Sequence, residues 1–234
     1  MVAKQQAALT PAAPSSSEGL SSEEWKRVGA LVALCALNVV FWAVYEQQGN
    51  TMQTWADTQT NWPTILGFSI PPNWFQSFNP GMIFLMAPLL DMFWVWQAKK
   101  DAEPTSVTKM AIGSTLLGLS FIIMAVGANL IGDGKGSLAW PFFCVLILTL
   151  GELYLSPIGL SLVTKVSPPK IVSMMMGMWL ASSFFGNFLS GWIGTFYDDM
   201  SKTAFFMLLM GIGLVTGALM FAFNRPLRKV LGHH

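Results

Sequence analysis

Three acidic residues, Glu46, Asp91 and Glu152, fall inside long apolar stretches of this 234-residue chain. A carboxylate held charged at mid-bilayer costs about 2.5–3.5 kcal/mol on insertion scales, so such groups face a cavity or a partner and are functional candidates by default. Glu152 is the clearest, because it stands about halfway along its stretch. Ser156 follows one helical turn later on the same face. Pro157 next to it removes a backbone hydrogen bond and frees a carbonyl one turn back. A carboxylate, a hydroxyl and a loosened carbonyl on one face suit a cation or an ammonium group. The alternative is a protonated Glu152 bonded to a neighbouring helix. Glu46 precedes Gln47 and Gln48, with Trp42 one turn before it. Its depth puts it near the end of its stretch, and spacing alone leaves a solvated helix end and a binding site equally open. Asp91, close in sequence to Lys99 and Lys100, reads as an interfacial ion pair or a snorkelling side chain and not as a site. Asn79-Pro80 opens another stretch, where a proline is ordinary first-turn chemistry and Asn79 caps or bonds locally. Trp179 lies too deep for a headgroup belt and is either core packing or a pocket wall, whereas Trp140 and Trp192 suit a belt.

The elements that must hold these groups are membrane spans. The chain is 53% hydrophobic and 11% charged, against about 25% charge in a soluble domain, and its mean hydropathy is +0.52. Six stretches, at 28–47, 74–97, 106–131, 138–164, 171–197 and 203–223, each reach the roughly 20 residues a bilayer crossing needs. A soluble helical bundle would need a polar face on each helix, and these are apolar nearly all round. The expected fold is therefore all-α, a polytopic membrane protein of six transmembrane helices. Eleven of the 13 basic residues fall in the ends and loops of one side, leaving only Lys135 and Lys202 on the other. That asymmetry puts both termini in the cytoplasm.

Residues 1–24 form a polar, low-complexity tail. No secretory signal pattern is evident in it. Ser21 and Glu24 make a capping box that starts a helix near Ser22. Residues 25–225 are the bundle and 226–234 a second cytoplasmic tail. The polar connection 49–73 is the longest external one, and the first helix either continues through much of it or stops. Gly213 with Gly217, and Gly186, Ser190 and Gly194 at steps of four, mark close helix packing. Cys35 and Cys144 read as small buried hydrophobes.

Other chemistries lack their residues. The only histidines are His233 and His234, so the spans hold neither a Ser–His pair nor a histidine metal cluster. The run Gly132-Asp-Gly-Lys-Gly-Ser137 lacks phosphate-loop spacing and is a turn. A net charge of +1 offers no field for nucleic acid. What is left is transport without a cofactor, driven by an ion, and carboxylates in the spans make the proton the natural coupling ion.

Five segments carry a family resemblance: Phe41-Trp-Ala-Val-Tyr-Glu-Gln47, Phe75-Gln-Ser-Phe-Asn-Pro80, Gly151-Glu-Leu-Tyr-Leu-Ser-Pro-Ile-Gly-Leu-Ser161, Val163-Thr-Lys-Val-Ser-Pro168 and Met175-Met-Gly-Met-Trp179. In this order they resemble the seventh, eighth, tenth and eleventh helices of the proton-dependent oligopeptide transporters of the major facilitator superfamily. The resemblance implies a 3+3 bundle that is the C-terminal half of a major facilitator fold, acting as part of a di-/tripeptide–proton symporter in the plasma (inner) membrane. It implies that Glu152 pairs with the peptide's amino terminus, that Asn79 bonds the peptide backbone, and that Ser156, Trp42 and Trp179 line the pocket. It also implies that Glu46 lies by the central cavity and pairs with an arginine of the N-terminal half, tying an extracellular gate to protonation. The family's E-x-x-E-R motif and its N-terminal lysine are absent from this chain, so a matching N-terminal six-helix half is the expected partner. A non-transporting scaffold or binding protein, or a transporter of another small solute, stands as the alternative.

Overall fold

The computed structural model describes residues 19–231, with side chains through Asn224. Most of the tail at 1–24, together with His233 and His234, lies outside the described residues. The first helix, α1 (Ser22–Tyr45), starts where the capping box predicts: Ser21 Oγ accepts from the Glu24 N–H at 3.2 Å, and the Ser21 N–H donates back to Glu24 at 2.7 Å. The helix then tightens into a 3-10 turn over Glu46–Gln48 and resumes as α2 (Thr51–Thr58). The outward continuation left open by the sequence therefore exists, with a break at Glu46.

Beyond α2, short strands β1 (Thr60–Asn61), β2 (Thr64–Ile65) and β3 (Phe68–Ser69) lead into a 3-10 segment (Pro72–Ser77). There follow α3 (Phe78–Ala98), α4 (Ser106–Ile131), β4 (Gly136–Ser137), α5 (Ala139–Val166), α6 (Val172–Gly194), the short α7 (Phe196–Asp199) and α8 (Lys202–Leu231). Among the described residues, six helical stretches are long and apolar enough to cross a membrane. β2 and β3 form a small hairpin, while β4 pairs in parallel with β1. The glycine-rich turn at 132–137 is thus tied down by the bond from the Gly136 N–H to the Gln59 carbonyl at 2.8 Å. The backbone of α8 stays helical through residues 226–231, so part of the expected C-terminal tail extends the last span.

Two groups of helices hold the bundle together. α4 packs along α8 and α5, and α1 packs along α6 and α8, whereas α3 touches the rest chiefly through α5. Glycines set the closest approaches. A Cβ on Gly213 would stand 2.6 Å from Cα of Gly118, and one on Gly113 would stand 2.6 Å from the Gly151 carbonyl oxygen. Between α1 and α6, a Cβ on Gly186 would collide with Cβ of Trp42. The small-residue stripes are therefore contact surfaces, since only a missing side chain lets two backbones approach so far. Polar groups lock the α1–α6 seam: Asn38 donates to Ser182 Oγ at 2.6 Å, and Gln47 donates to the Ser190 carbonyl at 2.8 Å and its hydroxyl at 3.1 Å. Cys35 and Cys144 are buried and free, as the sequence implies.

Candidate functional site

Glu152 sits midway along α5, which continues through Pro157. Its Oε2 accepts two hydrogen bonds, from the Tyr45 hydroxyl at 2.6 Å and from Asn79 Nδ2 at 3.0 Å. The same Asn79 nitrogen donates to Thr149 Oγ1 at 3.0 Å, and Thr149 in turn donates to the Val145 carbonyl of its own helix. The last residue of α1, the second residue of α3 and one face of α5 thus converge on one carboxylate oxygen. Oε1 of Glu152 has no hydrogen bond among the described residues. Glu152, Asn79 and Ser156 are all half-buried, so the cluster borders accessible space.

Asn79 departs from its expected local role. Ser77 is the residue at the N-cap of α3, where no side-chain cap bond forms, and the Asn79 amide reaches across to another helix. The reason is its position at the first turn of α3, where that helix meets the Thr149–Glu152 face of α5. Glu46 occupies the 3-10 turn after α1, half-buried, with helix continuing beyond it as α2. Of the two readings its spacing left open, the solvated helix end does not fit, since helix runs on beyond it.

The remaining candidates divide. Trp42 is half-buried and meets Tyr45 edge-on at 5.0 Å. Ser156 keeps the same face as Glu152, one turn along. Trp179 is 5% exposed, and its ring fills the space that a Cβ on Gly159 would take. It packs between α6 and α5. Asp91 is exposed and makes no ion pair among the described residues, because Lys100 turns instead over the Trp96 ring at 3.9 Å. Trp140 packs beside Gly127, while Trp192 is exposed as a belt residue would be.

Sequence reasoning assigned no role to Tyr45 or Thr149. Thr149 precedes Glu152 by three residues and so shares its face, a signal that was available. Tyr45 adjoins Glu46, but which neighbour its hydroxyl reaches is settled only by packing. Lys109, one of the eleven basic residues of one side, is 4% exposed inside α4, paired with Glu103 at 2.5 Å and lying over the Trp94 ring at 4.3 Å.

Six spans, three of which meet at a half-buried carboxylate, define a polytopic membrane protein with half of a major facilitator fold. A family model described as "POT family" matches residues 4–215. A di-/tripeptide transporter of Lactococcus lactis subsp. cremoris is 30% identical over 92% of this chain and 44% of its own length. The peptide transporter YePEPT of Yersinia enterocolitica is 32% identical over 92% of this chain and 43% of its own. A crystal structure of peptide transporter POT in complex with sulfate superposes with a TM-score of 0.83 at 33% identity, covering 90% of this chain and 42% of that one. A variant of a peptide transporter POT in complex with alafosfalin gives 0.83 at 32% identity, covering 91% and 43%. The chain belongs to the POT family, and it spans less than half the length of the curated relatives it matches.

Proposed function

We propose that the chain is the C-terminal half of a proton-coupled symporter for di- and tripeptides, with both termini in the cytoplasm. The observation that carries this reading is the convergence of Asn79 and Glu152 across two spans at 3.0 Å. Oε2 of Glu152 is filled and Oε1 is free to accept a charge-assisted bond from a peptide ammonium. Asn79 uses only its amide nitrogen in the described contacts, so its carbonyl oxygen is left for a peptide N–H. Ser156, Trp42 and Trp179 flank this site. Glu46, one residue beyond Tyr45, pairs with an arginine of the N-terminal half and links gating to the proton. No cofactor takes part.

Relatives named as a di-/tripeptide transporter and a peptide transporter, of which this chain matches 43–44%, support both the substrate class and the need for a second half. Residues 1–24 then serve as the cytoplasmic linker, 25–225 as the bundle and 226–234 as the cytoplasmic end. Superfamily transporters rock one bundle against another about a midplane site. In that motion Glu152 and Glu46 belong to this half, and the groups for the peptide carboxylate belong to the other.

The test is di-alanine uptake into proteoliposomes under an inward proton gradient, by the chain alone and with a matching N-terminal half, with Glu152→Gln as control. The expected result is uptake only with the partner, lost in the control. Uptake by the chain alone would overturn its incompleteness. No uptake in either case, with folding confirmed, would favour a non-transporting scaffold or another solute.

A further inference from the structure

Tyr45 has no part in the reading above beyond its contact, yet its bond to Glu152 is the shorter of the two that reach Oε2, 2.6 Å against 3.0 Å for Asn79. The residue is 5% exposed. Its ring stacks on Phe41 at 5.9 Å and meets Trp42 edge-on at 5.0 Å. The helix that carries it is clamped to α6 on both sides of it, by Asn38–Ser182 one way and Gln47–Ser190 the other. Gly186 lets the two backbones close between those clamps. The phenol is therefore aimed at α5 by packing and cannot swing away without loosening the seam.

The carboxylate it meets has no such constraint of its own. The terminal torsion of a glutamate is broad and roughly two-fold, so a half-buried Glu152 is oriented only by what it bonds. Two donors arriving at one oxygen, from α1 and from α3, fix that torsion. They leave the other oxygen without a partner and turned from both donors. Binding groups held by a supporting layer of hydrogen bonds lose less on engaging a ligand than groups that must be ordered first.

We infer that Tyr45 is a positioning residue for Glu152: by occupying Oε2 together with Asn79, it presents Oε1 to an ammonium ligand and sets the preference for a free amine. This rests on the reading of Glu152 as the amine site.

Tyr45→Phe keeps the aromatic stack and removes only the O–H. Dissociation constants for di-alanine and N-acetyl-di-alanine are measured by tryptophan fluorescence on the chain assembled with its N-terminal half in nanodiscs. Amine selectivity is the ratio of the two. Loss of one hydrogen bond to a charged group is expected to lower that ratio about tenfold in Tyr45→Phe, with N-acetyl-di-alanine binding unchanged. In a Glu152→Gln background, Tyr45→Phe is expected to change the ratio no further. A ratio abolished by Glu152→Gln but untouched by Tyr45→Phe overturns the role of Tyr45 and leaves the amine site standing. Equal weakening of both peptides in Tyr45→Phe also overturns it, since it marks a merely structural residue. A wild-type ratio near one, or one insensitive to Glu152→Gln, sinks the amine site and this inference together.

Discussion

Glu152 and Glu46 are both acids in apolar helices, and their surroundings differ in a way that fits the separate tasks proposed for them. Glu152 has its Oε2 satisfied by neutral donors, Tyr45 and Asn79, which suits a site that exchanges one cation for another. Glu46 stands in a helix break between α1 and α2, where a change of charge is met by a turn that is already irregular. Glu46→Gln is accordingly expected to abolish proton-driven peptide uptake while leaving peptide binding within a few fold, read by comparing gradient-driven uptake with equilibrium binding. Retained full uptake in that variant would remove Glu46 from the coupling role. Asn79→Ala is expected to weaken di-alanine binding about tenfold, since it strips one donor from a charged acceptor. It should leave helical content by circular dichroism unchanged, because Asn79 does not cap α3.

Packing of helix against helix decides whether those side chains meet at all. The α1–α6 seam is closed by glycine and by buried amides, and in a bilayer such contacts replace the hydrophobic drive that water would supply. Gly186→Val places atoms where Trp42 already stands, and overpacking of this kind costs about 1–3 kcal/mol. A lowered thermal midpoint in detergent and weaker peptide binding are both expected. Gly177→Val, on the same helix with nothing within 4 Å of where its Cβ would stand, is the matched control and should leave both unchanged. α3 is held differently. Only Met82 and Leu90 of it are buried, and its far end is gripped where Trp94 lies between Lys109 and Tyr154. Asn79 and Trp94 are thus its two anchors, with Pro88 between them.

At the scale of the whole molecule, large apolar side chains stand uncovered on α3 and α6. Phe84 is 80% exposed and Phe188 is 77% exposed. In a bilayer such a surface meets lipid or a second bundle, and a chain that spans under half of its relatives leaves room for the latter. The absence of proton-driven uptake by this chain alone, and its appearance when the N-terminal half is added, is the expectation that belongs to this scale.

Spans, their number and the acids within them were legible in the residues, because apolar length and the cost of a buried charge are local properties of a chain. So were the capping box at Ser21 and the small-residue stripes, which depend on neighbours one or two turns away. The partners of Glu152 were not legible. Tyr45 and Asn79 lie 107 and 73 residues from it in sequence, and an all-round apolar helix carries no periodic mark of which face turns inward. The burial of Trp179 over Gly159 had the same cause, the rotation of α6 against α5. By itself the sequence determined that six helices cross a membrane and carry Glu46 and Glu152 into it. Only the tertiary structure decided which donors hold Glu152 and which of its oxygens is left open, because hydrogen bonds between helices are set by their relative rotation and register, which no single helix encodes.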